Sequence, residues 1–470
     1  MTKYLYRFRK FSDLKGSLEA GRESELEGLY IYFSPPEKLN DPLEGHREMI
    51  WRGDKILWEN LFAHYFLCLA RRHIESCEYI NLEDIPFTIR RSYLEEPLDE
   101  FTQLKEVSQT FLNHPNVQAH IKTLAYKERS VKKSELMLHL NLIHNFALHV
   151  ISNYLVEFGL IQKGMGINGE SPKELLLTSS TILEFYKGLS SEELTSASED
   201  IATSPLVPIE EHNLKLNYAI WKENKNQRWM DLSINFPEYY ITALKELCTN
   251  NWYTACFMES CKNASIWGTY GSEHKGACLK FKVDGTVNAY TLDLGFPSEK
   301  HPSPITNRKL NLATVQYDGN SPELDFFYSL GAIPELNVKA DWLTRNGTKS
   351  SRYDAVFSNL EKWRSEYHAN EKKSIITKTK DWSGEVEMRI LLQAHHEDFK
   401  PTESRKLRYN FQQLESIIFG VNMPLLHKLD LIETVEKLCI KHNRENFVFQ
   451  QAYYTKNKEI GYRPIHKVEI

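Results

Sequence analysis

The sequence predicts an α+β protein whose split core of mixed or antiparallel β-structure is interrupted by a helical insertion. Three observations predict it. Segments that are aromatic, β-branched or alternating in polarity stand toward both ends of the chain, at 29–34, 277–283, 312–317, 415–420 and 447–455. Between them, from about 92 to 189, apolar residues recur at helical spacing, as in Leu94, Leu98, Phe101 and Leu104. The chain also has 470 residues, which is long for one hydrophobic core. The expected units are 1–90, the first part of the α+β core; 91–250, the helical insertion, with a Ser/Glu-rich linker near 190–208; and 251–470, the second part of the core.

Element by element, 29–34 (Leu-Tyr-Ile-Tyr-Phe-Ser) is a strand that Pro35-Pro36 ends, and Asn40-Asp41-Pro42 is a turn in which Asn or Asp bonds to the local backbone. Residues 136–161 form the most lipophilic run, yet they carry His139, Asn141, His144, Asn145, His149, Asn153 and Glu157. That composition suits a helix buried in protein and excludes a membrane span. Tyr239, Ile241, Leu244 and Leu247 mark a further helix before strand-like sequence returns at Trp252. A helix is expected around 352–372, a buried strand at 415–420 closed by Gly420, and an amphipathic helix with Pro424 in its first turn ending near His442. Residues 447–455 form the expected last strand.

Composition excludes several classes of function. A net charge of −5 over this length, with only short basic clusters such as Lys132-Lys133 and Lys372-Lys373, gives no nucleic-acid or membrane-surface footprint. The charged N-terminus has no apolar signal-peptide core, and the seven cysteines are scattered without a Cys-x-x-Cys pair. A cytoplasmic protein with reduced thiols, no structural metal and no membrane contact is expected. His139, His144 and His149, spaced by five, drift around a helix instead of aligning as ligands, and adjacent His395 and His396 point apart on a strand. Phosphate-loop, serine-hydrolase-elbow and zinc-protease motifs are absent.

The chemistry concentrates at 382–392. After a Ser383-Gly384 turn, residues alternate, so that on a strand Glu385, Glu387 and Arg389 share one face and Val386, Met388 and Ile390 point into a core. Two carboxylates about 7 Å apart with a guanidinium in line can hold a sugar hydroxyl, stabilise a cation, bind a metal, or face water as a solvated strand surface.

Four stretches occur in an ordered set. They are Leu5-Tyr6-Arg7-Phe8-Arg9; Ile31-Tyr32-Phe33-Ser34 with Leu39-Asn40-Asp41-Pro42-Leu43-Glu44; Cys256-Phe257 with residues 267–276, Trp-Gly-Thr-Tyr-Gly-Ser-Glu-His-Lys-Gly; and Trp382 with Glu385-Val386-Glu387-Met388-Arg389, before Ile417-Ile418-Phe419-Gly420. Together they resemble the bacterial domain-of-unknown-function family DUF-2971, over residues 1–50 and 250–425. A more distant likeness is to ADP-ribosyltransferases, whose strand order and Glu-x-Glu motif are similar to this pattern. That likeness implies an ADP-ribosyltransferase-like core and NAD as substrate. It also implies a protein or nucleic-acid acceptor, or water, in the setting of a toxin or phage-defence effector.

Cleaving the nicotinamide–ribose bond builds positive charge on the sugar, so a carboxylate must face it. The likeness assigns that role to Glu387, with Glu385 orienting or deprotonating an acceptor. Arg7 or Arg9 would hold phosphate, Ser34 the conserved serine role of the likeness (with Ser260 competing), and Trp267 or Tyr270 would stack on a ring. Asn40, Asp41, His274 and Arg389 complete the candidate binding set. Each has a plainer reading: Arg7 and Arg9 on a wet strand face, Asp41 as a turn former, Trp267 and Tyr270 as core aromatics, His274 in a turn. Two other functions compete. One is a non-enzymatic ligand- or partner-binding protein. The other is a metal-dependent nuclease built from Asp41, Glu385 and Glu387, although no lysine stands beside those carboxylates in the sequence.

Overall fold

The computed structural model describes residues 3–16, 23–41, 43–45, 47–78, 89, 98–159, 161, 171–196, 198–222, 230–286, 289–296, 306–317, 323–393 and 399–465. Leu94, Pro42 and the His-His-Glu-Asp run at 395–398 lie outside the described residues. The protein is α+β, with a mostly antiparallel sheet. The chain divides into two compact units. One comprises Met1–His46, Asn250–Ser321 and Lys372–Ile470; the other comprises Arg47–Thr249 and Pro322–Glu371. These bounds differ from the expected 1–90, 91–250 and 251–470. Trp51, Trp58, Phe62 and Phe66, and from later in the chain Phe326, Trp342 and Trp363, belong to one core with the central helices. Packing of these large aromatics sets the division, and local periodicity does not reveal which distant segments share a core.

In the first unit, eleven strands form one sheet. Six of them close a hydrogen-bonded ring: Ala277–Thr286, Lys3–Arg9, Trp252–Met258, Glu387–Gln393, Thr306–Thr314 and Ala289–Phe296, the last pairing back to the first. Pairs within the ring are antiparallel; Leu414–Phe419 and Val448–Tyr454, attached outside it, run parallel. Alternate residues of these strands, among them Leu5, Ala255, Phe257, Leu279, Phe281, Ile390 and Ile417, fill a core that the helix Leu425–Lys441 joins through Leu431, Val435 and Leu438. Burial of each large side chain stabilises the unit by about 1.5–3 kcal/mol.

One pairing is incomplete, and it positions the site. Lys3–Arg9 pairs with Ala277–Thr286 from Lys3↔Val283 to Arg9↔Ala277, but with Trp252–Met258 only at Tyr6↔Met258. Beyond that point the two strands part. Ser34 enters the gap as an isolated antiparallel bridge to Thr254, exchanging both backbone bonds at 2.8 and 2.9 Å. The Arg7 guanidinium substitutes for missing ladder donors, with Nη1 3.1 Å from the Cys256 carbonyl and Nη2 3.0 Å from that of Tyr32.

Several elements depart from the sequence expectations. Glu385 is not on a strand: Lys380–Glu385 is a 3₁₀ turn, Val386 is left-handed at φ 46°, and the strand begins at Glu387. Val386, expected in the core, is 47% exposed, whereas the Glu387/Arg389 face is buried. Strand Thr306–Thr314 begins earlier than the expected 312–317, and Gln316 instead bridges Thr377. Pro424 is the N-cap of its helix, and a further strand, Ile460–Pro464, follows Val448–Tyr454.

The second unit is mainly helical, with a small sheet of Met49–Trp51, Val131–Lys132 and Leu324–Asp325. Helix Lys133–Glu157 is buried on most sides, which its lipophilic sequence anticipates. The expected linker near 190–208 is instead helical, in Ser191–Ser196 and Ser198–Lys222. Its polar residues obscured the inner position Leu206, whose packing against the helical core overrides composition. Among the described residues no helix is long and apolar enough to cross a membrane.

Candidate functional site

The parting of Lys3–Arg9 from Trp252–Met258 opens a cleft of about 280 Å³. Its lining includes Arg7 and Arg9 from the first strand, Lys10 just after it, Ser34, Lys38 and Asn40, and Thr254, Cys256, Tyr270, Glu44 and Lys378. Basic groups outnumber acidic ones, for only Asp13 and Glu44 carry carboxylates there. Arg9 is held by Glu25 and Asp13, whose charges outweigh the burial that opposes its ionisation and raise its pKa. Arg7, buried, is lowered to about 10, first by burial and then by Arg9. Lys10 and Lys38 are exposed and have no ion-pair partner among the described residues.

Behind the cleft lies a buried charge network. Lys378 Nζ is 2.8 Å from Glu385 Oε2, 2.9 Å from Glu387 Oε2 and 3.7 Å from Glu44 Oε2. Arg389, wholly buried, clasps Glu387 through Nε (2.7 Å) and Nη2 (3.0 Å), pairs with Glu44, and donates through Nη1 to the Ile375 carbonyl at 2.6 Å. Tyr270 donates its phenol proton to Glu385 Oε1 at 2.6 Å, and Lys378 also sits 5.2 Å over the Trp382 ring. The backbone N–H of Glu387 is satisfied by the Tyr317 oxygen at 2.9 Å.

Three carboxylates thus face two cations, all of them buried, and the electrostatics follow. Burial pushes Glu387 up from its ordinary 4.5 to about 7, with Lys378 pulling the other way. Burial opposes the Lys378 ammonium, but Glu387, Tyr270 and Glu385 outweigh it and hold its pKa above the usual lysine range. Burial lowers Arg389 to about 9 against the pull of Asp41, which leaves it charged at neutral pH. Burial also drives the Cys256 thiol well up, as Glu387 does, and that sulfur is therefore no thiolate nucleophile.

The structure brings Arg7, Arg9, Ser34, Asn40 and Tyr270 to one cleft. Glu385 and Glu387 stand directly behind it, joined through Lys378. The solvated-face reading is therefore corrected: the Glu387 and Arg389 side chains are interior, and Arg389 is engaged within the network instead of lining the cleft. Asp41 is buried and its Oδ1 accepts from the Leu43 N–H at 2.9 Å, the turn role of its plainer reading. Trp267 is core: its indole donates to the Cys261 carbonyl at 2.7 Å and its ring meets Phe8 edge-on. His274 closes a run of three left-handed residues from Ser272, outside the cleft lining. The turn ends on Gly276, where a Cβ would stand 2.4 Å from the Arg9 carbonyl. Ser260, exposed, accepts from the Lys262 N–H in a local turn, so Ser34 alone of the two serines lines the cleft.

Sequence reasoning missed Glu44, Lys378, Lys10 and Lys38 as site residues, and it missed a lysine beside the glutamates. Glu44 stood within a quoted motif. Lys378, in Thr377-Lys378-Thr379, carries no local signal, because only the tertiary fold turns it inward. Its ammonium lies between Glu385 and Glu387, two of the three carboxylates of the nuclease reading, where that reading reserves a place for a divalent ion. Comparison with described protein families, curated proteins and solved structures finds no match.

Proposed function

We propose that the protein cleaves NAD in the cleft between Lys3–Arg9 and Trp252–Met258, as an ADP-ribosyltransferase-like enzyme or NAD glycohydrolase. The observation that carries this reading is the convergence of Arg7, Ser34, Asn40 and Tyr270 on one cleft backed by the Glu44–Lys378–Glu387 network. The cleft volume is near the lower end of ligand sites, roughly 300–1,000 Å³, and suits the nicotinamide–ribose–phosphate half of the dinucleotide. Lys10 and Lys38 are free to meet the phosphates, while Arg9 is engaged by acids. Tyr270 offers a ring face, and the carboxylates of the network behind the cleft stabilise the cation that forms on the sugar. Glu44 is the carboxylate of that network that lines the cleft; Glu387 acts from behind it unless Lys378 swings aside. The acceptor is water or a macromolecule.

Nicotinamide release by the purified protein tests this, with Glu44→Gln and Glu387→Gln beside the wild type. Release by the wild type, and its loss by about 100-fold in one or both variants, is expected. A wild type that binds NAD without releasing nicotinamide favours a nucleotide-binding protein. That second reading draws on one observation, the engagement of both Glu387 oxygens by Arg389 and Lys378.

A further inference from the structure

Helix Ser198–Lys222 faces the helical core with Leu206 and Ile209, and Asn217 is tied by a 3.0 Å bond to Asn235. Its outward side is less ordinary. Val207, Leu214, Tyr218 and Trp221 recur at i, i+7, i+11 and i+14, which places them in one narrow line along an α-helix. All four are exposed, Leu214 by 70% and Trp221 by 72%, and the Tyr218 and Trp221 rings stack with centroids 6.1 Å apart. Such a line is the seam pattern of a helix pair, and here it faces outward.

Charges beside the line select the occupant. Glu211, Lys215 and Lys222 lie along one flank, acid toward the N-terminal end and base toward the C-terminal end. All three are exposed and have no ion-pair partner among the described residues. We propose that this helix pairs antiparallel with the same helix of a second copy of the chain. A two-fold axis level with residues 216–217 sets Leu214 beside Tyr218 of the second copy. In an antiparallel pair the same flanks face each other, so Glu211 then meets Lys222 of the second copy, twice by symmetry. A parallel pair would instead set this flank against the opposite flank of the second copy and would not make these pairs.

The test is the solution mass of the full chain by light scattering over about 1 to 100 µM, a range that captures modest dimer affinities. A mass rising from 55.0 kDa toward twice that value is expected. The Leu214→Glu/Trp221→Glu variant should stay at the monomer mass with an unchanged helical spectrum. Glu211→Lys and Lys222→Glu should each weaken association by about tenfold, and the two together should restore it. A monomeric wild type across the range overturns the proposal. So does a dimer indifferent to the seam substitutions, or charge reversals that fail to compensate.

Discussion

Glu387 is the residue on which the site turns, and its environment makes its charge conditional. Between its ordinary 4.5 and the folded value of about 7, the folded protein holds the Glu387 proton more tightly than the unfolded chain does. The stability from this group is therefore full below pH 4.5 and is lost as pH rises through about 7. Denaturant titrations of wild type and Glu387→Gln across that window should show the wild-type advantage shrinking as pH rises; a constant difference would refute the assignment. Lys378 is the complementary test. Replacing it by Met strands Glu385 and Glu387 in the interior, and a loss of roughly 3–5 kcal/mol is expected for removing one partner of a buried network. A loss under about 1 kcal/mol would mean that water reaches the carboxylates.

At the scale of elements, the junction between the 3₁₀ turn Lys380–Glu385 and the strand Glu387–Gln393 aims the two glutamates at one lysine. Period-two alternation alone would set them side by side on a strand. The junction instead bends at Val386, whose left-handed backbone is unfavourable for a β-branched residue. Its side chain is half exposed, so little packing is lost on removing it. Val386→Gly should stabilise the protein by about 1 kcal/mol, read as a higher unfolding midpoint; a lower midpoint would show that the valine packs usefully. The same junction is pinned by the Tyr317 oxygen on the Glu387 N–H. Tyr317→Phe leaves that buried donor unsatisfied and should cost about 1–3 kcal/mol.

Over the whole molecule, the buried histidines of the helical unit respond to pH in the opposite sense to Glu387. In the helical unit burial lowers His64 to about 3 and His73 and His144 to about 4, and it lowers His120 and His139 as well. Such histidines bind protons less readily folded than unfolded. Their stabilisation is present above pH 6.5 and is lost as pH falls, for His64, His73 and His144 by about 1.4 kcal/mol per pH unit each down to about pH 4. Circular dichroism should show helical signal lost on acidification through this range, at a pH where Glu387 is still adding stability. A helical signal unchanged down to pH 4 would overturn that account.

The local chemistry of the chain determined its α+β class, its strands around 29–34, 277–283 and 415–420, and the buried helix at 136–161. These were legible because periodicity, turn residues and side-chain size act within a few residues of one another. Tertiary structure decided the rest. Whether Glu387 and Arg389 meet water or each other, which lysine neutralises them, that Trp267 is core while Tyr270 faces the cleft, and that residues 322–371 join the helical unit all depend on partners distant in the chain. Alternation states which side chains share a face but not what covers it. Here both faces of the Glu387–Gln393 strand are covered, one by apolar residues and the other by Lys378 and Glu44, and desolvation of that second face turns a run of charged residues into a site.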